Sequence, residues 1–323
     1  MASRVGSNRV RVRAPSSTSN LGPGFDVFGL ALDAFHDEVE IVRSNESGIR
    51  IEIEGEGSAT IPTEPEQNTA GRTALEFRRR FGLPDIEIRL VKRIPPGRGL
   101  ASSGVSASAT AVALNTLLNL HLSKKELVEI AMLGEQVASG TLHADDVAPS
   151  IYGGFTLIQS YDPLTIVAIP PPAHTQFALA IPRTLSKSTK DLREALPSTV
   201  SLKAAIGNVG SASTLIVGIL TSNPKLIGVG MMGDQIVEPS RIAHFPILEN
   251  VRRAALKAGA YGATISGAGP TMIAVVDPKH VEAKAVATAM RDEFEKADVE
   301  CDWLVAKATG PAHVIEKKDS HRF

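Results

Sequence analysis

Ser102 and Ser103 stand between Gly99 and Gly104 in the stretch IPPGRGLASSGVSASATAVALNTLLNL, residues 94–120, which passes without a break from small polar residues into an apolar run. Glycines let a backbone approach a ligand closely, and serines add hydroxyl donors. A helix starting here would present unpaired N–H groups and partial positive charge. That combination suits an anion, a phosphate group above all. The stretch is not a Walker loop, which needs a lysine before its serine, and it lacks the third glycine of a dinucleotide fingerprint. Taken alone, it reads equally as a flexible loop ahead of a core helix. Two further polar glycine loops border apolar segments, STSNLGPGFD at 17–26 and SGAGPT at 266–271. Three such loops in one chain favour a ligand site over three turns.

The elements that must position these loops follow from periodicity. RVRVRAP, DEVEIV and IRIEIEGEG alternate with period two and predict strands. EPEQNTAGRTALEFRRRFG predicts a capped helix closing at Gly82, and DIEIRLVKRIP returns to strand. SKKELVEIAMLGEQVASG predicts a helix capped by Ser123 with Glu126 three residues on. HADDVAPSIYGGFTLIQ reads as a loop entering a strand, and FALAIPRT as a strand. Residues 201–222 read as helix, FPILENVRRAALKAGAYGATISGAGPTMIAVVD as helix, glycine loop and strand, then come an amphipathic helix and the strand CDWLVAKAT. The tail EKKDSHRF is expected to fray. Interleaving without regular βαβ spacing indicates an α+β chain. The prolines at 170–172 mark the expected domain boundary, giving 1–171 and 172–323.

With 323 residues, 43% hydrophobic and 21% charged, the chain has the composition of a globular protein. A formal charge of -1 gives no reason to expect nucleic acid or an anionic membrane as partner. Arg4, Arg9, Arg11 and Arg13 are not followed by a signal-like apolar run, and RVRVRAP reads as structure rather than as a transit segment. No stretch is expected to approach the roughly 18 apolar residues of a spanning helix. Cys301 cannot form an internal disulfide, being the sole cysteine, and reads as a structural thiol. The chain is read as cytoplasmic.

The ordered set SSTSNLGPGFDVFGLAL, PPGRGLASSGVSASA and ISGAGPTMIAVV resembles the three signature motifs of the GHMP kinases. Within that superfamily NLGPGFD, HADDVAPSIYGG, STKDLREALP and DQIVEPSR look most like the homoserine kinase branch. The resemblance implies a ribosomal-protein-S5-like N-terminal domain with a left-handed βαβ unit, a ferredoxin-like C-terminal domain and a site between them. It implies ATP and Mg2+ as cofactors, L-homoserine as acceptor, O-phospho-L-homoserine as product for threonine biosynthesis, and a homodimer as a common assembly.

Carried over residue by residue, the resemblance puts Pro96, Gly97, Arg98, Gly99, Leu100, Ala101, Ser102, Ser103, Gly104 and Ser106 around the ATP phosphates, with Asn68 and Lys92 at nucleotide-contacting positions. Ser103 and Glu135 match the magnesium ligands. One carboxylate, a hydroxyl and phosphate oxygens make a reasonable shell for this ion. Asn20, Asp26, His143, Asp146, Thr189, Arg193, Arg241 and Gly267 match acceptor-binding positions. Arginine suits a carboxylate and aspartate an ammonium, the two charges of an amino acid.

Two departures stand out. HADD carries Ala144 and Asp146 where the family pattern has Pro and Asn, so Asp145, Asp146 or neither could take the hydroxyl proton. Ala101 replaces a glycine of the usual G-L-G-S-S, at a cost if the residue has φ > 0 and at a gain if it is helical. Two other readings are kept: a related kinase with a mevalonate-type acceptor, and a non-catalytic protein that binds ATP or a metabolite and regulates a partner.

Overall fold

The computed structural model describes residues 7–319 apart from Ser186 and Ser188, and leaves the side chains of Ser139, Thr189 and Lys190 undescribed. Arg4 and residues 320–323 thus lie outside the described residues.

Alternation shapes the first strand, β1 (Ser7–Asn20): Val10, Val12 and Ala14 are buried, while Arg9, Arg11 and Arg13 turn outward. There they meet acids on β2 (Gly24–Arg43), with Arg11 bonded to Glu38 and Arg13 Nη2 2.8 Å from it. The arginine-rich start is one face of a strand. β3 (Ile49–Gly55) and β4 (Ile86–Lys92) pair in parallel, and the crossover between them is α1 (Thr69–Phe81). Asn68 caps that helix by accepting from Ala70 and Gly71 N–H, and Gly82 closes it at φ 70°.

α2 (Ser102–Leu118) is the central helix. It lies against β1, β2, α1 and α3 (Lys124–Ser139) and is buried nearly all round. Its small residues permit that close fit, and their hydroxyls turn back to backbone: Ser108 to the Val147 carbonyl at 3.1 Å and Thr110 to Ser106 at 2.8 Å. The capping box at Ser123 and Glu126 is present. The expected loop after His143 contains a short helix, α4 (Ala148–Tyr152), because Pro149 suits a first turn. β5 (Phe155–Tyr161) then pairs with β2, and β6 (Leu164–Ile169) with β5.

After Pro170–Pro172 the chain enters a second sheet. Its members are β7 (Gln176–Pro182), β8 (Gly262–Ile265), β9 (Met272–Val276) and β10 (Cys301–Ala306), in the antiparallel order β10-β7-β9-β8. Between β7 and β8 run α5 (Thr189–Glu194), α6 (Leu202–Leu220), α7 (Pro224–Met231), α8 (Glu238–His244) and α9 (Ile247–Lys257). α10 (Ala283–Glu295) joins β9 to β10. This sheet order with helices at both crossovers is the ferredoxin-like arrangement, and the whole is α+β as expected.

Two expectations need correcting. Residues 316–319 do not fray: they belong to β11 (His313–Asp319), which pairs with the open edge of β1. That edge has unpaired backbone groups to satisfy, and this outweighs the charged composition of the tail. Secondly, α6 is long and apolar enough to cross a membrane by length and composition, although no stretch was expected to approach this. Ala212 and Ile216 pack on the core, as do Leu215 and Ile219.

Candidate functional site

The three glycine loops meet. Ser266 Oγ donates to the Gly99 carbonyl at 2.7 Å and lies 2.8 Å from Thr18 Oγ1, whose proton it can accept, and Gly267 N–H donates to the Ser19 carbonyl at 3.1 Å. A Cβ on Gly99, which has φ 73°, would lie 2.0 Å from the Ser266 carbonyl oxygen, so only glycine fits that contact. Beside the junction lies a cleft of about 470 Å³, lined by loop residues 96–103 together with Ser106, Asn68, Lys92, Glu135, Asp146 and Gly267.

The start of α2 points into this cleft. Ser102 turns away, donating to the Ile94 carbonyl at 2.9 Å, whereas Ser103 Oγ lies 2.6 Å from Glu135 Oε1 on α3. Thr69 Oγ1 braces the turn through the Ser103 carbonyl at 3.1 Å. Gly104 is not on the cleft wall: a Cβ there would come 3.0 Å from the Asp146 carbonyl oxygen, so its bareness lets the 143–147 turn pack against α2.

Three residues expected at the nucleotide are occupied with scaffolding. Lys92 is buried, with its ammonium held by Asp37, the Ser102 carbonyl at 2.6 Å and Ser106 Oγ at 2.8 Å. Asn68 spends its amide on the α1 cap and on the Pro62 carbonyl at 2.7 Å. Arg98 donates to the Arg183 and Leu185 carbonyls, and burial with Arg183 beside it holds its guanidinium below the usual range. All three contribute to the cleft wall, with their polar ends turned into the fold.

Ala101 is the N-cap of α2 at φ 56°, ψ 35°, left-handed geometry that costs a side-chain-bearing residue about 1–2 kcal/mol. Ala101→Gly should therefore raise the melting temperature by about 3 °C and tighten ATP binding a few-fold. Thermal unfolding and calorimetry check this; unchanged values would mean that the loop is not strained there.

Burial pushes the Glu135 carboxyl up to about 8, the Asp146 charge adding to this and Ser103 and Lys92 opposing it. Asp145 and Asp146 face different ways. Asp146 is half-buried on the cleft wall, while Asp145 is buried with His143, whose Nδ1 lies 3.9 Å away. Burial, then Asp146 and Asp26, drive the Asp145 carboxyl well above the usual range.

The remaining candidates gather on that side. Arg193 Nη2 lies 2.7 and 2.8 Å from the two Asp26 oxygens and 3.2 Å from His143 Nε2. Burial raises the Asp26 carboxyl, but hydrogen bonds from His143 and Arg193 outweigh it and leave the group below its ordinary value. Arg193 and Arg241 both lie over the Phe25 ring, 4.9 and 5.4 Å from its centroid. Arg241 is buried and donates to the Gly267 carbonyl, which also accepts from Asn20 Nδ2 at 3.0 Å. Asn20 Oδ1 accepts from Asp26 N–H at 3.0 Å, holding a loop in which Asn20, Leu21 and Asp26 all have positive φ. Thr189 opens α5, but its side chain lies outside the described residues.

Sequence reasoning missed Phe25, Lys187 and Tyr161. Phe25 sits inside the first loop motif, where its neighbours drew the attention. Lys187 lines the cleft. Tyr161 ties the acceptor side together, its hydroxyl donating to the Asp26 carbonyl at 2.8 Å and accepting from Ala144 N–H at 3.3 Å. Nothing local marks a tyrosine at a strand end for this task.

Comparison with known proteins bears on this geometry. The family model for the GHMP kinases N terminal domain matches residues 68–154, and that for GHMP kinases C terminal matches residues 215–296. A homoserine kinase of Methanococcus vannielii is 43% identical over 274 residues, covering 84% of this chain and 89% of that protein. A homoserine kinase of Haloquadratum walsbyi is 43% identical over 289 residues, covering 90% and 94%. The crystal structure of homoserine kinase from Cytophaga hutchinsonii superposes with a TM-score of 0.89 at 37% identity, covering 95% of this chain and 98% of that one.

Proposed function

The chain belongs to the GHMP kinase family, and on that premise we propose that it transfers the terminal phosphoryl group of ATP to the side-chain hydroxyl of L-homoserine, forming O-phospho-L-homoserine for threonine biosynthesis. The observation that carries the acceptor is the Asp26–Arg193 pair with Arg241 beside it. An amino acid carries an ammonium and a carboxylate on one carbon, and here an aspartate and two arginines converge around the Phe25 ring. A mevalonate-type acceptor has no ammonium for Asp26.

Phosphoryl transfer asks mainly for positioning and charge neutralisation. The 97–103 loop and the start of α2 present N–H groups and helix dipole to the phosphates. Lys92 holds that start in place through Ser102 and Ser106. Glu135 and Ser103 fit magnesium: two oxygen donors 2.6 Å apart, one of them a carboxyl whose burial favours the protonated form until a cation joins it. When bound there, magnesium would neutralise charge on the phosphates. We assign Asp145, buried beside His143 and Asp26, to take the hydroxyl proton. Asp146 lines the cleft wall, and its charge helps to raise the Glu135 carboxyl. We take the two lobes to divide at 171/172, the first carrying the phosphate loop and the second Arg193 and Arg241, with β11 returning from the second lobe to the sheet of the first. Reactants of this kind place the work in the cytoplasm.

Asp26→Asn tests the acceptor. It should lower kcat/KM for L-homoserine roughly 100-fold, by loss of an ion-paired contact. Slow turnover of 4-hydroxybutyrate, which lacks the ammonium, should stay within about threefold. Equal loss on both acceptors would overturn the assignment.

A further inference from the structure

Among the described residues, the cations that line the phosphate cleft are Lys92, Arg98 and Lys187. The fold has claimed the first two. Lys92 is held by Asp37, the Ser102 carbonyl and Ser106, and Arg98 donates both terminal nitrogens to backbone carbonyls. Lys187 differs: it is exposed, and no described residue bonds or ion-pairs with it. The other charged groups on the cleft wall are the acids Glu135 and Asp146. A nucleoside triphosphate brings several more negative charges into that space, and its transfer chemistry spreads charge over the oxygens of the moving group.

An exposed lysine is ordinarily a solvated surface charge. The place of Lys187 along the chain argues otherwise. Two residues before it, the Leu185 carbonyl accepts from Arg98 of the phosphate loop, as does the Arg183 carbonyl. Two residues of chain span at most about 7 Å, so Lys187 lies close to that loop. Six residues after it, Arg193 Nη2 is 2.7 Å from Asp26 Oδ1 among the acceptor residues. The stretch of the second lobe from β7 to α5 is thus tied to the first lobe at the phosphate loop and at the acceptor pair, with Lys187 between the two ties. A phosphoryl group passing from nucleotide to acceptor crosses the same interval.

Resting on the reading of the protein as a kinase that uses ATP and L-homoserine, we propose that Lys187 is a further catalytic residue: its ammonium contacts the terminal phosphoryl group of ATP and neutralises the charge on it during transfer. In that step the acceptor oxygen bonds to the terminal phosphorus, the bridging P–O bond breaks with its electron pair leaving on ADP, and the hydroxyl proton goes to Asp145. Lys187 gives up no proton and forms no covalent bond. A lysine suits the task, being a compact charge on a flexible stem that can follow the group as it moves. Arg98 acts through it, by fixing the backbone two residues away.

Steady-state kinetics and calorimetry on the full chain test this, with Lys187→Met and Lys187→Arg as variants of an exposed position whose replacement leaves the core intact. Lys187→Met should lower kcat for L-homoserine about 100-fold with KM for the acceptor within about threefold, and Lys187→Arg, which keeps the charge, should retain at least about a fifth of wild-type kcat. With no acceptor present, Lys187→Met should weaken Mg-AMPPNP, a non-hydrolysable ATP analogue, about tenfold, and leave Mg-ADP, which lacks the terminal group, within about twofold of wild type. A Lys187→Met enzyme that keeps more than about a third of wild-type kcat would overturn the proposal. So would equal weakening of the two nucleotides, or an equal loss of kcat in both variants, which would mark a requirement for shape rather than charge. A wild type that fails to phosphorylate L-homoserine, yet differs from Lys187→Met on Mg-AMPPNP alone, would support the Lys187 contact and remove the proposed acceptor instead.

Discussion

Glu135→Gln should reduce phosphoryl transfer by about 10²–10³-fold, and should at the same time stabilise the protein without ligands at alkaline pH. Both effects come from one buried carboxyl. Glutamine cannot ionise when a cation joins it, so the variant lacks the oxygen that would become anionic 2.6 Å from the Ser103 hydroxyl, the pair assigned to magnesium. The stability effect has the opposite sign. The folded protein keeps the Glu135 proton up to about 8, against an ordinary value of 4.5. Between those values the folded state binds more protons than the unfolded one, and stability falls as pH rises through the window. Glutamine cannot lose a proton there, so the variant escapes the fall. Its melting temperature should match wild type near pH 5 and exceed it by about 3 °C or more at pH 9. A variant that loses activity without this pH-dependent gain would indicate a distorted fold; one that keeps activity would remove Glu135 from the metal site.

The second large effect belongs to Asp145→Asn. If Asp145 receives the hydroxyl proton, kcat should fall about 10²–10⁴-fold with KM for L-homoserine changed little, and the rising limb of kcat against pH should disappear. With its carboxyl raised, Asp145 as base should make the wild-type rate climb with pH, since only the ionised form accepts a proton. Asp146→Asn restores the residue of the family pattern and should cost less than tenfold. An Asp145→Asn enzyme retaining more than about a tenth of wild-type kcat would mean direct transfer without a dedicated base, the alternative left open by HADD.

What was legible in the chain depended on distance. Short-range features read directly: the Asn68 and Gly82 caps, the Ser123 box and the alternation of Val10, Val12 and Ala14 are each set by neighbours within a few residues. The three glycine loops were visible as composition, yet the bond from Ser266 to Gly99 spans 167 residues and no local pattern announces it. The Asp26–Arg193 pair, also 167 apart, was reached only through family strings. Lys92 and Asn68 show the converse failure. Their positions were right for the cleft, but periodicity is blind to Asp37, which claims the ammonium, and to the helix start that claims the amide. β11 was misjudged because its charges suggested solvent, while the unpaired edge of β1 lay some 300 residues earlier in the chain, as the Ser7–Asp319 bond at |i−j| = 312 records. Ala101 was posed as two alternatives, and the left-handed N-cap decides between them.

The most direct measurement is kcat/KM for L-homoserine, mevalonate and 4-hydroxybutyrate side by side with Mg-ATP, the product identified by phosphorus NMR. The account predicts O-phospho-L-homoserine as the main product, with L-homoserine preferred over either of the others by at least about 100-fold. Preferential phosphorylation of mevalonate, or ATP binding with no transfer to any of the three, would contradict it.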